Sequence, residues 1–494
     1  MDVVGKRVAV IGAGASGLAA SVLLSARGAQ VCLVDEGTPS IDPERRAELD
    51  QAGVDLRLAT DEVGMKQVDW VVLSPGIGEG SALLRAVRRL QVPILSEIEL
   101  AFRLSPQPVV AITGTNGKTT TTRMVETMLL QLGRKCAAAG NIGLPYASAI
   151  MARPDAEWFV LEVSSFQLED TNQFRPRVAV LLNLAPDHLD RHGSTRDYYR
   201  AKGRLFRNQG LGDWSLVQRE ALHELESLGV PIRGRVLTFS TKDTSADLYY
   251  GRGLIVSRIP GWSGVVYDCS EGNLAGQHNA ENLMAAILVG YTLELPLSEI
   301  RIALSEFRSD AHRFELLRPL SGVQVVNDSK STNPDSTRAA IEAGADLVEE
   351  TGRLWLIAGG VNKQLSFSSL EPLVSEYVDG AFLFGRCRDQ IGAAWQRAVP
   401  CAMSESMQES VERVLTLAQA GDVMLFSPGC ASFDQYRNYR HRGESFRSII
   451  RQYRSDRWSP LMPRESSVPD RLLTGGHSER WGERASTNRQ HQTH

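Results

Sequence analysis

The tightest constraint on this chain is a strand, a loop and a helix start in immediate succession. Residues 109–113 read as an apolar strand, Gly114-Thr115-Asn116-Gly117-Lys118-Thr119 follows, and residues 119–132 carry a helical pattern. Backbone N–H groups at such a helix start can wrap phosphate oxygens, the Lys118 ammonium can offset their charge, and the Thr119 hydroxyl is placed for Mg²⁺. Gly114, Thr115, Asn116, Gly117, Lys118, Thr119 and Thr120 are therefore the candidate ATP contacts. The match to a Walker loop is not strict, because Ile112 stands five before Gly117 where glycine is usual. Loops of this kind sit at the carboxyl edge of a parallel sheet, which points to an α/β fold.

A second glycine turn opens the chain. Residues 7–11 read as a strand, Gly12-Ala13-Gly14-Ala15-Ser16-Gly17 as a turn, residues 18–26 as a helix and residues 30–34 as a strand ending at Asp35. The glycines permit a tight turn and close phosphate approach, and an acid at Asp35 can meet a ribose hydroxyl. By itself the turn fits NAD, FAD or a UDP-sugar. Strand–helix alternation continues through 70–73, Ser74-Pro75-Gly76, a helix over 81–90, and strands over 158–163 and 178–182. Beyond His312-Arg313-Phe314, further strands are expected over 323–326, 354–357, 380–384 and 423–426.

Ser105-Pro106-Gln107-Pro108 reads as a linker, since two prolines so close suit neither a helix nor a central strand. At about 150 residues per domain, the length suggests roughly three domains. The expectation is an α/β chain with a Rossmann-like N-terminal domain (1–105), a P-loop-type central ATPase domain (106–311) and a Rossmann-like C-terminal domain (312–455). Residues 456–494 lose hydrophobic periodicity and are rich in Ser, Arg, Gly, Gln and Pro, so a disordered tail is expected.

Composition removes other classes. With 54 Lys plus Arg against 58 Asp plus Glu, the near-balance argues against non-specific nucleic-acid binding. No apolar run reaches membrane-span length, and the first twelve residues lack a signal peptide's charged and apolar regions, so a cytoplasmic enzyme is expected. The six cysteines (Cys32, Cys136, Cys269, Cys387, Cys401, Cys430) are scattered without a C-x-x-C pair, which argues against a disulfide scaffold and a cysteine zinc site. Glu162 ends one expected strand and Asp187-His188 follows another, both on the phosphate-loop edge, where a carboxylate and an imidazole can complete magnesium sites. His188 and His192 are spaced i, i+4, but no third zinc ligand is evident.

These pieces resemble the Mur ligases of peptidoglycan synthesis, over about residues 6–451. The matching motifs are the two glycine loops, Ser74-Pro75-Gly76-Ile77, Ser96-Glu97-Ile98-Glu99-Leu100, Gly140-Asn141-Ile142-Gly143, Ser164-Ser165-Phe166-Gln167-Leu168-Glu169 and Asp187-His188-Leu189-Asp190-Arg191. Further along come Gly276-Gln277-His278-Asn279, His312-Arg313-Phe314-Glu315, Asn327-Asp328-Ser329-Lys330 and Ser427-Pro428-Gly429-Cys430-Ala431-Ser432. Within the family, the Ser-Ser-Phe-Gln-Leu-Glu, Asn-Asp-Ser-Lys and Cys-Ala-Ser elements favour the step that adds D-glutamate to UDP-N-acetylmuramoyl-L-alanine through an acyl phosphate.

The resemblance implies a role for each position. Gly14, Ala15, Ser16, Asp35, Ser74 and Gly76 would hold the UDP moiety, with Asn141, Ser164, Gln167 and His188 nearer the muramoyl-alanine end. Lys118, Glu162, His188 and Lys202 would be catalytic, with Thr119, Glu162, His188 and a CO₂-derived carbamate on Lys202 holding two Mg²⁺. Asn279 and Asn282 would reach the adenine, Arg313 and Asp328 would add phosphate and ribose contacts, and Lys330, Thr332, Lys363, Ser432 and Tyr439 would receive glutamate. A hinge near His312 would let the third domain close and exclude water. A monomer with no nucleic-acid partner and no membrane span is expected. Three departures stand out: Glu36-Gly37 where the family pattern has Thr-Arg, Asn362-Lys363-Gln364 for Asp-Lys-Gly, and Ala311 for a proline before His312. The competing readings are a sibling or folylpolyglutamate-type synthetase, an NAD oxidoreductase fused to an NTPase, and an inactive nucleotide-binding regulator.

Overall fold

The computed structural model describes residues 1–453 apart from 66, 79, 273, 275, 309, 310, 363 and 364. Lys363 and the expected tail over 456–494 lie outside the described residues. The chain divides into two compact units, Met1–Arg308 and Ser309–His494. His312 is 4% exposed, and its ring faces the Asn327 amide inside the second unit, so the division falls before it.

The first unit holds two sheets. One has five parallel strands in the order Asp55–Arg57, Gln30–Val34, Arg7–Ile11, Trp70–Leu73, Ile94–Ser96. The chain winds outward in both directions from Arg7–Ile11, so the turn leaving that strand sits at the switch point where α/β sheets bind ligands. In the other sheet, Val109–Thr113 is buried along its whole length between Trp158–Glu162 and Val178–Leu181, parallel to both. Cys136–Gly140 pairs beyond Trp158–Glu162. On the other side the sheet continues through Trp214–Gln218, Arg235–Ser240 and Leu248–Gly251, then turns antiparallel at Leu254–Ser257 and Gly264–Asp268. The phosphate-loop sequence thus emerges from the interior of a parallel sheet.

Buried acids join the two sheets. Ser96 caps helix Glu97–Leu104 and places two carboxylates toward the second sheet. Glu99 accepts from the backbone N–H groups of Asn172, Gln173 and Phe174 at 2.8–3.0 Å and pairs with Arg103. Glu97 accepts from the Ala147 N–H at 2.6 Å. Each bond holds an amide 50 or more residues along the chain, buried at Ala147 and Phe174, which gives the Ser-Glu-Ile-Glu-Leu motif a structural role.

In the second unit the order is Glu315–Leu320, Val323–Asn327, Val423–Phe426, Leu354–Gly359, Gly380–Phe384, Cys401–Met403, antiparallel only in the first pair. Four loops, 328–333, 427–432, 360–362 and 385–387, therefore start from the carboxyl ends of adjacent parallel strands. Among the described residues no helix is long and apolar enough to cross a membrane.

Candidate active site

The phosphate loop folds as its glycines require. Gly114 has φ +155° and Gly117, which precedes helix Lys118–Gln131, has φ +83°. A Cβ on Gly117 would lie 2.2 Å from Asn282 Oδ1, so only glycine fits. Asn282 Oδ1 accepts from the Thr121 hydroxyl at 3.1 Å and its amide faces Asn279 at 3.3 Å. Both asparagines are buried on helix Gln277–Thr292, where they brace the loop from behind. Asn116 N–H donates to Asn183 Oδ1 at 2.8 Å, fixing the loop's tip.

Lys118 Nζ donates to the Gly114 and Thr115 carbonyls at 2.8 and 2.7 Å. Lys202, 1% exposed on helix Thr195–Gly203, donates to the same Gly114 carbonyl at 2.8 Å and lies 4.6 Å from the Tyr198 ring centre. Burial first, and the Lys118 charge second, hold the Lys202 amine well below the usual lysine range, while Asp187 and Glu162 act in the opposite sense. Thr120, 8% exposed, begins the buried face of the following helix. Thr115 Oγ1 is held by Tyr198 and the Ala185 backbone.

Glu162 is 3% exposed at the end of its strand. One of its oxygens accepts from Thr119 Oγ1 at 2.6 Å and the other from Asn141 Nδ2 at 2.9 Å. The Asn141 N–H also donates to the Glu162 carbonyl, and Gly140 has no room for a Cβ there. His188, at φ +52°, turns its Nε2 to 3.6 Å from the buried Asp187 carboxylate. Among the described residues no three His, Cys, Asp or Glu side chains gather as a metal cage. The donors present, a carboxylate and a hydroxyl beside a phosphate loop, suit Mg²⁺, which takes one or two protein oxygens together with substrate phosphates. His192 is instead bound to Ser165 and Glu169 and stacked on Phe166.

The first glycine turn is built on Ser74. Its hydroxyl donates to the Gly12 carbonyl at 3.0 Å; a Cβ on Gly12 would lie 2.9 Å from the Ser74 Cβ, and one on Gly17 1.9 Å from the Gly12 carbonyl oxygen. Gly14 and Gly76 face open space, and Gly14 precedes helix Ala15–Ala26, so backbone can approach a ligand at both points. Ala15 and Ser16 open that helix. The Asp35 oxygens accept from Ala13 and Gly37 N–H groups at 2.7 and 2.8 Å, so this acid braces the turn. Glu36, a departure from the family pattern, receives the Ser81 hydroxyl and Leu83 N–H at the start of helix Ala82–Arg89, and these bonds lower its pKa.

Ser164 and Gln167 form a capping box on the short helix Ser165–Glu169. That helix presents Phe166 to His188, with ring centres 5.0 Å apart, and to the Arg191 guanidinium at 4.1 Å. Arg191 donates to the Pro75 and Ile77 carbonyls, linking the second sheet to the first sheet's Ser74–Ile77 loop.

In the second unit, the Asp328 oxygens accept from the Phe314 N–H and from the Ser331 and Ser427 hydroxyls. Burial raises Asp328 to about 6 against those bonds and the nearby Arg313 charge. The Lys330 ammonium lies 4.1 Å from the Tyr439 ring centre. Thr332 follows in the same loop, and Ser432 is 2% exposed. Arg442, which is fully buried, donates to Ser329 and to the Cys430 carbonyl, tying together the loops that carry Lys330 and Ser432. Sequence reasoning passed over Arg442, Tyr198 and the Arg191 clamp, because each acts through at least one partner 80 or more residues away.

Residues 112–290 match the Mur ligase middle domain and residues 312–430 the Mur ligase glutamate ligase domain. The chain is 37% identical to the UDP-N-acetylmuramoylalanine--D-glutamate ligase of Pelotomaculum thermopropionicum, over 91% of this chain and 98% of the relative. It is 36% identical to the ligase of the same name from Koribacter versatilis, over 92% and 98%. Among solved structures, the Thermotoga maritima MurF ligase in complex with ADP aligns at TM-score 0.58 and 17% identity, covering 92% of this chain and 96% of that one. The UDP-N-acetylmuramate-alanine ligase MurC of the same organism aligns at 0.57 and 19%, covering 91% and 100%. These two share the fold.

Proposed function

The chain belongs to the Mur ligase family, and from that premise we propose that it is the ATP-dependent ligase joining D-glutamate to UDP-N-acetylmuramoyl-L-alanine in peptidoglycan precursor synthesis. The observation that carries the reading is the convergence of Lys118 and Lys202 on the Gly114 carbonyl, beside the Thr119–Glu162 pair. A carboxylate resists attack by an amine, so it must first be activated. Its oxygen attacks the γ-phosphorus of ATP, the bond to ADP breaks, and an acyl phosphate results. The amine of D-glutamate then attacks the acyl carbon, and phosphate leaves.

Three anions meet in the first step, and Lys118 with the loop N–H groups would counter their repulsion. Mg²⁺, held by Thr119 and Glu162 with His188 nearby, supplies further charge stabilisation when bound. A neutral amine is the form that adds CO₂, and Lys202 is held toward it, so we assign Lys202 the carbamate that contributes an oxygen donor for a second Mg²⁺. Asn141 orients Glu162, while Ser164 and Gln167 fix the helix start facing the muramoyl-alanine end. His188 or a nearby acid would orient the attacking amine or take its proton. Gly14, Ala15, Ser16, Ser74 and Gly76 would hold the UDP moiety. The second unit would supply Lys330, Thr332, Ser432 and Tyr439 for glutamate. Because the reaction would draw on ATP and a nucleotide-linked substrate, the reading includes a cytoplasmic location.

The test is ADP release with UDP-N-acetylmuramoyl-L-alanine, Mg²⁺ and ATP against a panel of amino acids including both glutamate enantiomers. Turnover specific to D-glutamate, with the product confirmed by mass, is expected. Turnover with another amino acid would move the enzyme to a sibling step. No turnover despite ATP binding would favour the inactive regulator.

A further inference from the structure

The loops at the carboxyl edge of the second sheet bring together two cysteines 43 residues apart. Cys387 caps helix Arg388–Trp395, and Cys430 lies in Ser427-Pro428-Gly429-Cys430-Ala431-Ser432. Their sulfurs are 2.9 Å apart, both residues are buried, and both are free thiols. We propose that Cys387 and Cys430 are a modification site: a dithiol that two-electron oxidants of the peroxide class convert reversibly to a disulfide, shifting the loop that carries Ser432. A disulfide needs its sulfurs at about 2.05 Å, so they must approach by only about 0.9 Å.

The two thiols are not equivalent. The hydrogen bond between the two sulfurs, reinforced by the Gly360 backbone, holds Cys387 below the usual cysteine range, while burial pushes Cys430 up. Burial leads the rise of the other four, to about 11 at Cys32 and Cys269 and about 12 at Cys136 and Cys401. Oxidation follows thiolate character and access; the two thiols are about equally buried, so thiolate character decides between them and Cys387 reacts first. Its thiolate attacks one peroxide oxygen, the O–O bond breaks, and a sulfenic acid forms. Cys430 sulfur then attacks the Cys387 sulfur and displaces hydroxide, which leaves as water with the Cys430 proton. The sum is two thiols plus hydrogen peroxide giving one disulfide and two waters.

The bond would act on a loop held from several sides. Ala431 exchanges both backbone hydrogen bonds with Val361 at 2.8 and 3.0 Å, Cys387 N–H donates to the Gly360 carbonyl, and Arg442 holds the Cys430 carbonyl. A Cβ on Gly360 would lie 2.2 Å from the Ala431 carbonyl oxygen, so there is no slack on that side. Displacing Cys430 therefore displaces Ser432, two residues on. The effect on glutamate rests on the function proposed above; formation of the disulfide does not.

The experiment treats the reduced full-length chain with stoichiometric hydrogen peroxide, blocks free thiols under denaturing conditions and maps the digest by mass. The expected result is one cross-link joining Cys387 to Cys430, with two of the six thiols lost and regained on treatment with dithiothreitol. All six thiols remaining free, or a different pairing, would overturn the proposal. In parallel, oxidation is expected to raise the KM for D-glutamate about tenfold in the native chain and to leave Cys387→Ala unaffected. A mapped disulfide with unchanged KM would overturn the loop displacement. A mapped disulfide in a chain without ligase activity in either state would count against the proposed function alone.

Discussion

Burial changes what Lys202 can do. On a surface it would be a cation, but inside helix Thr195–Gly203, sharing a carbonyl with Lys118, it is held toward the neutral amine. Replacing it by Met keeps much of the packing and removes the nucleophilic nitrogen. kcat for Lys202→Met is expected to fall about 100-fold or more, and wild-type kcat would remove the carbamate from the account. Glu97 gives a prediction about pH. Burial raises its pKa to about 7, against hydrogen bonds from the Ala147 and Tyr146 backbone, and one of its oxygens lacks a partner. The folded state therefore binds more protons than the unfolded one between the ordinary carboxylate pKa and 7. That stabilisation is complete in acid and is lost as pH rises through the folded pKa. The Tm of Glu97→Gln minus that of the wild type should grow from about pH 5 to about pH 8. A constant difference would show that Glu97 does not titrate in that window. Neither residue could be read from local pattern: Lys202 looks like an ordinary helix lysine, and the carboxylates of Glu97 and Glu99 look like solvated helix acids.

Elements were legible where one physical demand dominated. The buried strands Arg7–Ile11, Gln30–Val34, Trp70–Leu73, Val109–Thr113, Gly380–Phe384 and Val423–Phe426 fall where their apolar runs predict. Leu354–Gly359 runs two residues beyond its expected end, because Gly359 continues the pairing at a position where a Cβ would meet the Phe384 carbonyl. Cys136–Gly140 escaped notice because three alanines carry little strand signal, and Arg235–Ser240 because half of it faces solvent. The Arg191 clamp belongs to this scale, since it joins the Pro75 and Ile77 carbonyls to the Phe166 ring. Arg191→Ala should raise the KM for UDP-N-acetylmuramoyl-L-alanine about tenfold, as charge-assisted hydrogen bonds are lost, and leave the KM for ATP within about twofold. Equal changes in both constants would mean that the clamp supports the whole unit rather than the UDP-side loop.

At the scale of the molecule, the α/β class and the three sheets follow from the alternation of strands and helices and the two glycine turns. The first two sheets form one unit rather than separate bodies, because the buried carboxylates of Glu97 and Glu99 cap amides of the second sheet's layer, a pairing across 50 or more residues that local pattern cannot show. Separation along the chain likewise hid Arg442 and the cysteine pair, 43 residues apart. The central claim is that ATP activates the substrate's carboxylate before the amine attacks. It is tested most directly with UDP-N-acetylmuramoyl-L-alanine labelled with ¹⁸O in both carboxylate oxygens, turned over with ATP and D-glutamate. The account predicts that the released phosphate carries one ¹⁸O and the new amide the other. Phosphate without label would contradict it.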